Sequence, residues 1–201
     1  RRRTAVLISG RGSNMQALVS AAQAPDYPAE ISLVLSNRPD AAGLEFARAN
    51  GVAAAAIDHK AFPDRVSFDD EVDRVLRAHD IELIACAGFM RIFSTQFVER
   101  WLGRIINVHP ALLPAYPGLE THERALADGV SEHGCTVHFV IPKLDAGPTI
   151  AQACVPVIEG DTADTLAARV LIAEHDLYPR ALADVASGAA RLDQADGLSA
   201  C

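Results

Sequence analysis

Residues 4–23 read TAVLISGRGSNMQALVSAAQ, and the change of character at Ser9 decides the fold. Thr4–Ser9 is a short apolar run, the pattern of a buried strand. Gly10 and Gly12 permit a tight turn, and Asn14–Gln23 then carries apolar residues at helical spacing. A buried strand handed to a helix through a glycine turn opens a βα unit, and the unit recurs. Ile31–Ser36 and Val52–Ile57 read as the second and third strands, with a helix at Ala41–Asn50 ended by Gly51. Ser67–His79 reads as a helix, Glu82–Ala87 as a fourth strand, Thr95–Leu102 as a helix and Arg104–Val108 as a fifth strand. Strands alternating with helices through short connections predict an α/β domain built on a doubly wound, mostly parallel sheet of Rossmann type.

The rhythm breaks after the fifth strand. Residues 110–118, PALLPAYPG, hold too much proline for strand or helix and exceed an ordinary connection. Thr121–Asp128 reads as a helix. Gly134–Ile141 and Thr149–Ile158 are strand-like runs around the turn PKLDAGP, which predicts an antiparallel C-terminal portion of the sheet. About Asp164–Ala186 is the last helix, with Pro179 a candidate break. A single domain over residues 4–186 follows, with residues 1–3 and 187–201 expected as loosely held termini.

With 18 Lys+Arg against 26 Asp+Glu the chain carries a net charge of −8, and three of its cations are Arg1–Arg3. Such a field opposes the phosphate contacts of a nucleic-acid surface, so no nucleic-acid partner is expected and an anionic ligand needs a local pocket. No apolar run approaches the ~20 residues of a membrane span. Arg1–Arg3 lead straight into a strand without an apolar segment, so they read as a frayed tail rather than a signal, and a cytoplasmic protein is expected. Cys86, Cys135, Cys154 and Cys201 lack disulfide or zinc spacing, and the histidines lack a paired metal motif, so no metal is expected. Asp69, Asp70, Glu71 and Asp73 read as a solvated helix face near the positive end of the helix dipole.

Three patches could carry chemistry. Ser9–Asn14 lies where strand passes to helix; the open N–H groups there, with the Ser13 hydroxyl and Asn14 amide, suit a phosphate, although a plain capped turn reads the same way. Met15 fills the third glycine position of a dinucleotide fingerprint and no Gly-Lys-Ser/Thr follows, so a monophosphate is the reading left. Asn107 and His109 share one side of the fifth strand as it ends, by the period-two rule. Asp145 sits in Leu-Asp-Ala-Gly-Pro, where turn chemistry alone would also select an aspartate. Without a GxSxG elbow or an activated cysteine, direct transfer to a bound amine fits better than an acyl-enzyme.

VLISGRGSNMQAL, LIACAGFMRIFS, INVHPALLPAYPG, HGCTVHFV and LDAGP stand in this order. Over about residues 4–185 the chain resembles the phosphoribosylglycinamide (glycinamide ribonucleotide) formyltransferase family, folate-dependent enzymes of purine synthesis. The resemblance implies a formyltransferase-like fold, a catalytic trio of Asn107, His109 and Asp145, and a ribonucleotide held by Gly12, Ser13, Asn14 and Glu174. It implies a folate pocket walled by Met90, Arg91 and Ile92 beside Asn107, with Arg65 as a further folate-side or phosphate contact. The implied donor is 10-formyltetrahydrofolate, the implied acceptor glycinamide ribonucleotide, and the chemistry needs no metal. A formyltetrahydrofolate hydrolase using the same site, or a non-enzymatic phosphate-ligand module, are the competing readings. Methionyl-tRNA formyltransferase adds a C-terminal domain and formyltetrahydrofolate deformylase an N-terminal one, neither of which is expected here.

Overall fold

In the computed structural model, which describes residues 1–192, the chain runs β1 (Arg2–Ile8), α1 (Ser13–Ala21), β2 (Ala29–Ser36), α2 (Gly43–Ala49), β3 (Ala53–Ala56), a 3₁₀ turn (His59–Ala61), α3 (Arg65–Ala78), β4 (Leu83–Cys86), α4 (Thr95–Arg100), β5 (Ile105–His109), α5 (Thr121–Ala127), β6 (Glu132–Phe139), β7 (Thr149–Pro156) and α6 (Ala163–Ser187). The seven strands form one sheet in the order β3-β2-β1-β4-β5-β6-β7. The first five are parallel, while β6 runs against β5 and β7 against β6. The order reverses between β1 and β4, and open α/β sheets bind ligands beyond the carboxyl ends of strands at such a point.

Side-chain alternation sorts the sheet into two faces. Val6, Ile8, Val34, Ala85, Ile106 and Val108 pack with Leu18, Leu44, Leu177 and Leu182 of the α1, α2 and α6 layer. Ala5, Leu7, Leu33, Leu35, Ile84 and Ile105 pack on the other face with Phe68, Leu76, Phe97 and Trp101 of α3 and α4. Each fully buried apolar side chain contributes roughly 1.5–3 kcal/mol, so the strand ends are carried on a stiff frame. The second cluster stops at Ile105. The next residues on that side of β5 are Asn107 and His109, and the fold thereby leaves polar groups where the helix layer ends.

Four expectations need correction. Arg2 and Arg3 are not frayed: they pair with Ala29 and Glu30 in the sheet, and the Arg1 guanidinium donates to the Ala29 carbonyl at 2.7 Å. The acidic run is only half solvated. Asp69 and Asp73 are buried; Asp73 accepts from Trp101 Nε1 at 2.7 Å and from Arg77 at 2.9 Å, because both positions adjoin the apolar stripe Phe68, Val72, Leu76. α6 runs unbroken through Pro179. The hydrogen bond lost there is outweighed by burial of Leu177, Tyr178, Ala181 and Leu182 on either side, with Tyr178 Oη donating to the Cys86 carbonyl at 2.9 Å. Beyond the left-handed cap at Gly188, Ala190 and Leu192 pack against the core, and the rest of the expected loose tail lies outside the described residues.

Candidate active site

Gly12 caps α1 in the left-handed conformation (φ 69°), with no side-chain cap and no acid in the first turn. The first N–H groups of the helix therefore remain open at its positive end, which suits an anion. The loop before it is seated against α2. Gly43 N–H donates to the Gly10 carbonyl at 3.1 Å, and a Cβ on Gly43 would come within 2.5 Å of Ile8 Cδ1. The buried Asn14 amide donates to Glu174 Oε2 at 2.6 Å, joining α1 to α6, while Asn14 Oδ1 has no partner. Burial raises the Glu174 pKa and the Asn14 hydrogen bond opposes that shift.

Asn107, His109 and Asp145 converge from distant stretches of chain. His109 Nε2 donates to the Tyr116 carbonyl at 2.8 Å, and its Nδ1 faces Asp145 Oδ2 at 3.6 Å. Asp145 Oδ2 also accepts the Gly118 N–H at 2.8 Å, so one carboxylate ties the 142–148 turn to the proline loop. Asp145 has a φ of 50°, a turn conformation that aspartate tolerates, and its carboxylate faces the His109 imidazole. The turn can lie this close only because Gly147 lacks a Cβ, which would fall 1.7 Å from the Phe139 carbonyl oxygen. Around it, Thr121 Oγ1 donates to the Pro110 carbonyl at 2.7 Å and Arg124 to the Pro117 carbonyl at 2.7 Å, fixing the proline loop.

His138, read in the sequence as part of a strand and not as a site residue, belongs to this group. It pairs across the sheet with Asn107. Its Nδ1 donates to the Phe139 carbonyl at 2.9 Å, which leaves Nε2 as an acceptor facing Asn107 Nδ2 at 3.4 Å and Asp145 Oδ1 at 3.9 Å. Burial lowers the His138 pKa and keeps the ring neutral, outweighing the attraction of Asp145. The cysteine thiols Cys86 and Cys135 are pushed up to about 12 by burial, which makes them inert. Cys86, Cys135 and Cys154 are free; Cys201 lies outside the described residues.

Met90, Arg91 and Ile92 occupy the connection between β4 and α4, with Met90 and Ile92 exposed; Arg65 opens α3. The Arg91 guanidinium lies 5.9 Å from the centre of the Phe68 ring on α3. A cavity of about 340 Å³ brings Ser9 and Gly10 together with Asn37, Arg38, Met90 and Arg91; it does not include the trio. Among the described residues, no group of three or more His, Cys, Asp or Glu could hold a metal ion, and no helix is long and apolar enough to cross a membrane.

The family model for formyl transferase matches residues 2–182, and the chain belongs to that family. Phosphoribosylglycinamide formyltransferase of Escherichia coli (strain K12) is 44% identical over 189 residues, covering 94% of this chain and 89% of that protein. The crystal structure of phosphoribosylglycinamide formyltransferase from Brucella melitensis superposes with a TM-score of 0.90 at 50% identity, covering 94% of this chain and 97% of the other. Within the family, the chain stands with the phosphoribosylglycinamide formyltransferases. The trifunctional purine biosynthetic protein adenosine-3 of Homo sapiens is 48% identical over 192 residues, and this chain spans 19% of its length.

Proposed function

We propose that this chain transfers the formyl group of 10-formyltetrahydrofolate to the primary amine of glycinamide ribonucleotide, a step of de novo purine synthesis. The observation that carries the proposal is the convergence of an amide, an imidazole and a carboxylate at the edge of the helix layer, with His109 Nδ1 and Asp145 Oδ2 3.6 Å apart. The acceptor's phosphate would rest on the open start of α1 at Gly12, Ser13 and Asn14, and Glu174 would accept from its glycinamide group. The donor would lie against Met90, Arg91 and Ile92, with Arg65 at its outer end and its formyl group beside Asn107.

In this arrangement the uncharged amine attacks the formyl carbon and the carbonyl electrons move onto oxygen. Asn107 is a donor for that oxyanion: one amide N–H is spent on His138 Nε2 and the other is free. His109 has one nitrogen left for the reacting centre. Since Nε2 donates to the Tyr116 carbonyl, the nitrogen that can serve the reaction is Nδ1, which lies on the Asp145 side, 3.6 Å from Oδ2. When the intermediate collapses, the carbonyl re-forms and the bond to the folate nitrogen breaks. The proton released by the amine passes by way of Asp145 and water to that nitrogen. The activated one-carbon unit belongs to the folate, so no covalent enzyme intermediate is required.

The test is product analysis after mixing the protein with 10-formyltetrahydrofolate, with and without glycinamide ribonucleotide. Formylated nucleotide appearing in step with tetrahydrofolate supports the proposal. Equal donor loss without the nucleotide would make the site a hydrolase, and no turnover would leave a binding module.

A further inference from the structure

Residues 88–94, between β4 and α4, carry Met90, Arg91 and Ile92 but form neither strand nor helix. Among the described residues, none of their N–H groups donates to a backbone carbonyl. Two side chains hold them instead. Ser9 Oγ accepts the Met90 N–H at 2.8 Å, and Asp69 Oδ2 accepts the Ser94 N–H at 2.6 Å. The Ser9 hydroxyl proton is already committed to Asn37 Oδ1 at 2.5 Å, so its lone pair is what remains for Met90. Asp69 is 1% exposed and its second oxygen has no partner, an expensive way to place a carboxylate on a helix. Burial raises its pKa, and only the nearby Ser94, Arg65 and Arg91 groups oppose this. Behind the segment, Phe89 stacks on Phe93 and Phe93 on Phe97, with centroids 5.3 and 4.5 Å apart, so its apolar side is fixed to α4.

We infer that Asp69 and Ser9 are positioning residues for the donor side of the site, clamping the two ends of the segment that presents Met90, Arg91 and Ile92. The inference rests on the donor assignment proposed above. Side chains that lock a binding element act through its geometry and not by touching the ligand. Loss of a clamp therefore weakens donor binding selectively. Ser9, the residue that opens the phosphate loop in sequence, spends its hydroxyl on Asn37 and Met90.

The experiment measures kcat and both KM values for Asp69→Ala, Asp69→Asn and Ser9→Ala. Loss of one charge-assisted or buried hydrogen bond predicts a rise of about tenfold in KM for 10-formyltetrahydrofolate in both alanine variants. In Asp69→Ala, kcat and the KM for the nucleotide should stay within about twofold, and Asp69→Asn, whose amide oxygen still accepts from Ser94, should restore the donor KM to within about threefold. An unchanged donor KM in the alanine variants, or a parallel loss of all three parameters, overturns the inference. If Asp69→Ala does not fold, Ser9→Ala decides: an unchanged donor KM refutes the clamp. Amide exchange at residues 88–94 separates this inference from the functional one. A wild-type protein with no amine-dependent turnover defeats the function, whereas faster Ser94 exchange in a folded Asp69 variant upholds the clamp and unchanged exchange refutes it.

Discussion

The ring of His109 is fixed by Tyr116 through the backbone alone: Nε2 donates to the Tyr116 carbonyl at 2.8 Å, while the Tyr116 hydroxyl points elsewhere and donates to Asp128 at 2.9 Å. The imidazole orientation thus depends on the path of the proline loop and not on the tyrosine side chain. His109→Ala and Asp145→Ala should each lower kcat by ~10²–10³ with nucleotide binding nearly intact, because both act in the transition state. Tyr116→Phe should stay within about threefold of wild type, since it removes only an exposed hydrogen bond. Steady-state kinetics on the three variants, with nucleotide titrations, checks the contrast.

Gly147 tests the placement of Asp145 without touching its chemistry. A Cβ there would meet the Phe139 carbonyl at 1.7 Å, so the turn must shift as backbone against backbone. Gly147→Ala should reduce kcat by about 10²-fold, in keeping with the cost of displacing a catalytic group by an ångström. Circular dichroism should show the fold retained, and near-normal kcat would show that the turn can adapt.

The His122 and His133 rings meet at 3.1 Å behind the proline loop, and burial presses the His133 pKa from 6.5 down to about 4. A neutral buried histidine binds fewer protons folded than unfolded in that interval. Stability from this group is therefore fully present above pH 6.5 and is lost as pH falls toward about 4. Urea unfolding at pH 7 and pH 5 should show the decline, and His133→Gln should flatten it. An equal slope in the variant would assign the acid sensitivity elsewhere.

Within the acidic run, neighbours should behave differently. Asp73→Ala leaves the buried Trp101 N–H without its 2.7 Å acceptor and should cost about 2 kcal/mol, whereas Glu71→Ala loses only a surface pair with Arg74 and should cost under about 0.5 kcal/mol. Thermal melts of the two variants provide the comparison.

The sequence carried the scaffold legibly because strand and helix periods in a doubly wound sheet are local. Thr4–Ser9 against β1, or Thr121–Asp128 against α5, differ from the structure by a residue or two. The shared side of Asn107 and His109 at the end of β5 was legible for the same reason. His138 was not. Cys135, Val137 and Phe139 mark one buried face of β6, so Thr136 and His138 must lie on the other, but which strand they would face depends on an antiparallel pairing no local pattern encodes. The burial of Asp69 and Asp73 is masked by their charge and shows only in their position beside the apolar stripe, and the continuity of α6 through Pro179 rests on packing from distant residues on its two sides.

Direct transfer within the trio is tested most sharply by a rapid-quench single turnover with formyl-labelled 10-formyltetrahydrofolate and glycinamide ribonucleotide. The label should leave the folate and reach the nucleotide amine with none on the protein at any time, and His109→Ala should slow that single step. Label accumulating on the protein before it reaches the nucleotide would contradict the mechanism outright.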